Sequence, residues 1–199
     1  HYVDRDTGEI HPTETFITIL GASQLIYVEA VESQQLEDWI WANENAWWYY
    51  GGVTRGICPD NLKSAVTKAC KYEPLLNETY NDLARHYKTV ILPTRPRKPK
   101  DKPLVENAVR LVYQKIFAVL RNQTFFSLRE LNEAIWKELE KLNNAPFQRR
   151  DISRRELFNE IEKSELQPLP KERYEIKQYQ VSRVEFNHHI YLKEDKHYY

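Results

Sequence analysis

The chain has 199 residues, 41% of them hydrophobic and 29% charged, and its 29 Lys and Arg residues balance its 29 Asp and Glu residues. This composition is typical of a globular protein with a buried core and excludes a disordered chain. No apolar run approaches about 18 residues, which excludes a membrane-spanning helix, and the neutral charge argues against a protein that binds polyanions over its whole surface.

Two residue types bear on the cellular context. Cys58 and Cys70 are the only cysteines, which are too few for a disulfide framework and suit a reducing, cytosolic setting. The sequence contains no methionine. Because translation begins with methionine, we expect the chain to be a fragment that starts inside a longer protein.

The first 52 residues predict a turn, a β-hairpin and a helix. Residues 4–10 (DRDTGEI) are turn-like, and residues 13–20 and 25–31 are rich in β-branched and aromatic side chains, which predicts two paired strands. A helical period follows, and Gly51-Gly52 ends it. The inward face of this predicted helix carries Leu36, Trp39, Ile40 and Trp47. The aromatic run 47–50 could stack on nucleic-acid bases, but positions in the core and at the helix end are favoured.

A strand–helix–strand unit is predicted next. Residues 53–58 and 89–93 read as short buried strands, with Cys58 buried, and residues 77–88 read as a helix between them. A long helix is predicted over 103–121, and two more helices follow apparent capping boxes at Ser127 and Ser153.

The inward residues of these helices follow from a turn of about 100° per residue. In the long helix they are Val105, Ala108, Val109, Val112, Ile116, Val119 and Leu120. In the next helix they are Leu131, Ile135, Leu139 and Leu142, and in the last Leu157, Phe158 and Ile161. The element order predicts an α/β fold in which helices pack on a mixed sheet.

Two carboxylates are candidates for chemistry. Asp60 follows a predicted strand end, where open α/β sheets bind ligands, and Glu106 lies at the edge of the apolar arc of the long helix. If the topology brings them together, a cation must offset their repulsion, and carboxylate oxygens suit Mg²⁺ or Mn²⁺. The alternatives remain a turn-forming Asp60 and a surface Glu106 that the helix N-terminus favours.

A basic loop leads into Glu106. Its cations could hold the phosphates of a polyanion, or the loop could be a solvated surface segment. They are Arg95, Arg97, Lys98, Lys100 and Lys102. The sequence offers no glycine-rich phosphate loop, zinc-ligand spacing or nucleophile triad as a competing site.

Several motifs taken in order resemble the DDE transposases of the IstA kind, from bacterial insertion sequences with a separate AAA+ ATPase helper. They are DRDTGEI, ILGAS, GGV, PDNLKSAVTKACKYEP, HY, PRKPKDKPLVENAV, TFFSLRELN and RRELF. The resemblance implies an RNase H-like, retroviral-integrase-like catalytic core over 1–165. A linker at 166–173 and the start of a small all-β barrel at 174–199 would follow.

The resemblance also implies residue roles and partners. Asp60 matches the second Asp of the triad and Glu106 the final Glu, both ligands to Mg²⁺, and the basic run matches one that precedes that Glu. Leu104 departs from the pattern, since such runs often carry Lys there. The implied activity is DNA strand cleavage followed by 3′-hydroxyl strand transfer, in a homo-oligomer on transposon-end and target DNA, with the ATPase helper, in a bacterial cytoplasm.

The first Asp of the triad is expected upstream of His1, and Asp4 is a weaker rival because DRDTGEI reads as a turn. The fragment by itself is therefore expected to be inactive. Two other functions stay open: a DNA-binding or assembly module without activity, and a metal-dependent nuclease that only hydrolyses DNA.

Overall fold

The computed structural model describes residues 1–59, 73–92, 102–177, 189, 191–192 and 197–198. The predicted hairpin is confirmed: β3 (Glu14–Ile19) pairs antiparallel with β4 (Ile26–Val31), in the register Glu14↔Val31 to Ile19↔Ile26. A smaller hairpin precedes it, in which β1 (Tyr2–Val3) pairs antiparallel with β2 (Ile10–His11) across the predicted turn.

Helix α1 (Leu36–Tyr50) carries the aromatic run into the core. Gly51 ends the helix in the left-handed conformation at φ 74°, and its N–H bonds back to the carbonyls of Trp47 and Trp48. Glycine adopts this conformation without the steric cost of a Cβ. Trp47 is 2% exposed and Tyr50 3%, so the core interpretation of the run is confirmed.

The strand–helix–strand unit forms as predicted, but its strands are not buried. β5 (Gly56–Ile57) pairs parallel with β6 (Val90–Ile91), and α2 (Glu73–Tyr87) connects them. Val90 is 57% exposed, and Cys58, predicted to be buried, is exposed. Among the described residues these two-residue strands pair only with each other, so they lack the flanking strands that enclose a central strand.

The long helix is confirmed, with an irregularity that its sequence did not reveal. α3 (Lys102–Val112) continues through a π-turn (Tyr113–Phe117) into a last turn (Ala118–Leu120). The residues that it buries fall at every fourth position: Ala108, Val112, Ile116 and Leu120. The prediction that Val119 points inward is wrong, since it is 52% exposed. A π-turn closes i→i+5 hydrogen bonds and takes more residues per turn, so of the predicted neighbours Val119 and Leu120 only Leu120 is buried.

Helix α4 (Leu128–Asn144) buries all four residues predicted to face inward. Its capping box is only half formed, because Ser127 Oγ accepts from the N–H of Glu130 while the Glu130 carboxylate accepts from the N–H of Phe126. The second box, at Ser153 and Glu156, is complete.

The second box starts α5 (Arg154–Leu157), which continues as a π-turn (Phe158–Glu162) and a 3₁₀ turn (Lys163–Glu165). Phe158 is buried as predicted, at 3% exposed. Ile161, predicted to face inward, is 43% exposed. The π-turn accounts for this error as well, because it rotates the residues after Phe158 away from the face expected of an α-helix.

Side chains of α4 form hydrogen bonds with the backbone N–H and carbonyl groups at the outer edge of β4. Asn132 accepts from the N–H of Ala30 at 2.7 Å and donates to its carbonyl at 2.9 Å. Asn143 makes the same pair of bonds to Ile26, at 3.2 and 2.7 Å. Trp136 Nε1 donates to the carbonyl of Val28 at 3.1 Å. The helix thus supplies the hydrogen bonds that a neighbouring strand would supply, and it covers an edge that could otherwise pair with another chain.

The segment predicted as a linker lies against the core. Gln167 exchanges both backbone hydrogen bonds with Val53, and Leu166 packs closely on Gly52, where an added Cβ would come within 2.7 Å of it. Further along, Tyr174 is 4% exposed and its N–H donates to Glu44 Oε1 at 2.8 Å.

The C-terminal part of the chain contributes two short strands. β7 (Tyr191–Leu192) pairs antiparallel with β8 (His197–Tyr198), and most of the segment 174–199, where the resemblance implies the start of a barrel, lies outside the described residues. The predicted barrel and domain boundaries stay predictions. None of the helices in the part of the chain that the structure describes is long and apolar enough to cross a membrane.

Candidate catalytic site

Two parallel strands set the position of the candidate site. Gly56 pairs with Val90 and Ile57 with Ile91 in parallel register, so both strands end at the same edge. The chain leaves β5 towards Asp60 and leaves β6 towards the basic loop. Asp60 itself lies outside the described residues. Four of the predicted DNA contacts also lie outside them: Arg95, Arg97, Lys98 and Lys100.

Glu106 occupies the second turn of α3 and its side chain is exposed. The helix packs on β3, with Ala108 and Val112 fully buried, which places Glu106 at the margin of the packed face. The N-terminal end of a helix favours a negative charge. Lys102 is the first residue of the same helix. The predicted phosphate contact Lys102 and the predicted metal ligand Glu106 therefore both lie near the start of α3.

Asp4 forms the turn between β1 and β2. Its Oδ1 accepts from the N–H groups of Asp6 at 2.9 Å and Thr7 at 2.7 Å. These hydrogen bonds, first those from Thr7, lower the pKa of Asp4 below its ordinary value. The geometry favours the turn interpretation over a role as the first metal ligand.

A metal centre needs several converging donors. Within the ranges that the structure describes, no three His, Cys, Asp or Glu side chains lie close enough together to hold an ion. Glu106 is the predicted ligand that these ranges contain, and its hard carboxylate oxygens fit Mg²⁺ or Mn²⁺.

A buried carboxylate that no sequence motif marks lies on β4. Glu29 is 3% exposed, and its Oε2 accepts from the hydroxyl of Tyr27 at 2.8 Å and from Asn45 Nδ2 at 3.1 Å. Burial penalises the ionised form and raises the pKa of Glu29 from 4.5 to about 7. The strand sequence gives no hint of this, because both faces of β4 are covered.

The raised pKa of Glu29 predicts a pH-dependent stability. The folded-state pKa lies above the unfolded value, so the protonated Glu29 carboxyl favours the folded state. Its contribution to folding stability is fully present below pH 4.5 and is lost as pH rises to about 7. At 1.36 kcal/mol per pKa unit, the difference between the two pKa values corresponds to a loss of at most about 3 kcal/mol in the free energy of unfolding. Urea unfolding across this range should show wild type losing stability relative to Glu29→Gln. Parallel pH profiles for the two proteins would contradict the prediction, and exposed Glu14→Gln is the matched control.

Curated relatives of the chain are bacterial transposases. "Putative transposase y4bL/y4kJ/y4tB" of Sinorhizobium fredii is 50% identical over 188 residues, which cover 94% of this chain and 36% of the relative. "Putative transposase for insertion sequence IS1162" of Pseudomonas fluorescens is 43% identical over 188 residues, which cover 94% of this chain and 34% of the relative. The chain thus spans about a third of the length of these relatives. No family model matches the sequence.

Solved structures identify the fold. The catalytic core domain of BIV integrase aligns with a TM-score of 0.56 at 15% identity, over 77% of this chain and 90% of that domain. A chain of the simian T-cell lymphotropic virus intasome, solved in complex with PP2A regulatory subunit B56 gamma, aligns with a TM-score of 0.57 at 13% identity, over 86% of this chain and 54% of that one. The chain has the fold of integrase catalytic cores, as the resemblance implied, while the described strands form separate two-stranded sheets rather than the single mixed sheet that the element order predicted.

Proposed function

We propose that this chain is the catalytic core of an insertion-sequence DNA transposase of the IstA kind, which cleaves DNA at the transposon end and joins the freed 3′-hydroxyl to target DNA. One observation carries the proposal most directly: a chain 50% identical to a transposase over 188 residues folds as an integrase core, with Glu106 at the margin of the helix that follows the parallel strands.

The proposed site assigns separate roles to the acidic and basic residues. Asp60 and Glu106 would hold Mg²⁺, or Mn²⁺ in its place, and the bound ions would activate water and stabilise charge on the phosphodiester. The position of Glu106 near the start of α3 suits a negatively charged ligand. In the first stage a phosphodiester at the transposon end is hydrolysed. In the second stage the freed 3′-hydroxyl attacks the phosphorus of a target phosphodiester, which forms a new phosphodiester bond and releases the 3′-hydroxyl of the target strand.

Partners follow from the same proposal. We expect the protein to act as a homo-oligomer on transposon ends and to work with an AAA+ ATPase helper. The likeness to a chain of a viral intasome supports assembly on DNA. The intasome lends no support to the helper, which rests on the sequence resemblance.

Three functions can be separated in one experiment. The longer protein that contains this chain is incubated with a labelled transposon-end duplex, plasmid DNA and Mg²⁺, and the products are resolved on a denaturing gel. A transposase gives strands joined to the plasmid, a nuclease gives nicked products alone, and a DNA-binding module gives neither product but shifts the duplex in a native gel. Joined products from the 199-residue chain alone would instead support Asp4 as the first ligand.

The basic loop is expected to contact phosphates without reading sequence. Arg97→Ala with Lys98→Ala should weaken DNA binding and flatten its salt dependence, because each neutralised phosphate contributes about 0.9 to the slope of log K against log salt. Fluorescence anisotropy over a salt series measures the slope.

The matched control replaces Lys137 and Lys163, two exposed lysines outside the loop, with alanine. An unchanged slope in the Arg97/Lys98 variant would return the loop to the solvated-surface interpretation. An equal change in the control would show that the effect reflects net charge alone.

A further inference from the structure

A short arginine-bearing loop joins α4 to α5. Pro146 and Ser153 form an antiparallel bridge, and the N–H of Phe147 donates to the carbonyl of Ile152 at 3.0 Å. The tip is a tight turn in which the N–H of Arg150 donates to the carbonyl of Phe147 at 3.2 Å. Arg149 and Arg150 are exposed at this tip, so the backbone presents two cations to solvent.

Arg154 lies at the base of this loop and is buried. It is 7% exposed, its guanidinium carbon lies 4.6 Å from the centre of the Phe147 ring, and its buried Nε has no hydrogen-bond partner within the described part of the chain. Among the described residues no carboxylate pairs with Arg154, and the nearby Asp151 on the loop makes no ion pair with it. A buried charge without a partner is costly.

The neighbouring arginine shows how the same fold satisfies a cation. The guanidinium of Arg155 donates to Glu140 Oε1 at 2.8 Å and to the hydroxyl of Tyr49, and it also lies over the Tyr49 ring. Arg155 therefore has a carboxylate and a hydroxyl partner, whereas the Arg154 guanidinium contacts the Phe147 ring and has no carboxylate partner among the described residues. Among the described residues, this contrast leaves the charge of Arg154 without the carboxylate that balances its neighbour, as a site for an anion would require.

We infer that Arg149, Arg150 and Arg154 form a binding site for a phosphate group of the DNA backbone, separate from the residues proposed to bind metal. The inference rests on the proposed function for its ligand. A guanidinium offers a planar fork of donors that matches phosphate oxygens and is weakly hydrated, which suits a partly buried anion site. The Phe147 ring packs against the Arg154 guanidinium, and the two tip arginines supply long-range attraction.

Burial lowers the pKa of the Arg154 guanidinium below its ordinary value. An arginine side chain stays protonated in proteins, so the group carries its charge at neutral pH. An arriving phosphate would offset the cost of that buried charge.

The test uses the longer protein and two probes, a non-specific DNA duplex and inorganic phosphate. Arg149→Ala with Arg150→Ala, and separately Arg154→Gln, should each lower the salt slope of DNA binding by about 0.9 for every phosphate that the variant no longer binds. Inorganic phosphate should raise the Tm of wild type more than an equal ionic strength of chloride, and this difference should shrink in both variants. Arg155→Gln is the matched control and should leave the salt slope and the phosphate effect unchanged.

Each outcome decides one part of the inference. If the protein binds no DNA, the proposed function fails, and the phosphate arm still tests the anion site. Phosphate stabilisation with unchanged DNA slopes would overturn the assignment to a DNA backbone. Unchanged slopes and an unchanged phosphate effect in both variants would overturn the site altogether. If Arg154→Gln does not fold, the Arg149/Arg150 variant decides, because both side chains are exposed and their removal leaves the core intact.

Discussion

Replacing Glu106 with Gln in the longer protein should reduce strand transfer by more than about 100-fold while leaving DNA binding within about twofold of wild type. Loss of a residue that merely supports a metal ligand costs about 10–100-fold, so loss of a direct ligand should exceed that range. Gln keeps the shape of Glu106 but removes the charge that an ion needs. Because the residue is exposed at the second turn of α3, the substitution should not perturb the fold.

Two measurements separate chemistry from binding in that experiment. Joined products are quantified on a denaturing gel with Mg²⁺, and DNA affinity is measured by anisotropy without divalent metal. Glu133→Gln is the matched control, since Glu133 lies on the surface of α4 and pairs with the exposed Arg129. Wild-type strand transfer by Glu106→Gln would remove Glu106 from the proposed site.

The second large effect concerns stability. Asn143→Leu should lower the free energy of unfolding by about 3 kcal/mol, because the N–H and carbonyl of Ile26, which is 0% exposed, lose the bonds that Asn143 supplies. Each buried polar group left unsatisfied costs about 1–3 kcal/mol. At about 2–4 °C per kcal/mol for a chain of this size, Tm should fall by roughly 6–12 °C.

The adjacent residue provides the control for this prediction. Asn144 is exposed and donates to the carbonyl of Glu140 within its own helix, so Asn144→Leu should change stability by no more than about 0.5 kcal/mol. Urea unfolding followed by circular dichroism measures both variants. Equal losses for the two substitutions would show that Asn143 is not needed to satisfy the edge of β4.

Errors in the sequence predictions have identifiable physical causes. Val119 and Ile161 are expected to point inward on an ideal α-helical period, but each lies in or after a π-turn that changes this period. Cys58 is expected in a buried strand because apolar neighbours surround it in sequence, but burial depends on which elements lie above and below that strand. Periodicity describes one element and carries no information about its neighbours.

The candidate site shows the same division between local and distant information. The position of Glu106 at the edge of an apolar arc follows from helix geometry alone, and the exposed Glu106 beside the buried Ala108 agrees with it. Arg155 has one partner 15 residues away, Glu140, and another 106 residues away, Tyr49. The partners of Asn132 and Asn143 lie more than 100 residues away. Such distant pairings leave no trace in the periodicity of either segment.

Local sequence signals were sufficient to predict the hairpin, the strand–helix–strand unit and the starts and ends of most helices. These features depend on β-branched runs, on Gly51 and on Ser127 and Ser153, which act on backbone groups within a few residues of themselves. The completion of the β4 edge by α4, the burial of Glu29 beside Tyr27 and the placement of Arg154 on Phe147 became visible only in the folded chain. Those outcomes depend on packing between distant segments, where desolvation and hydrogen-bond geometry determine what each polar group can do.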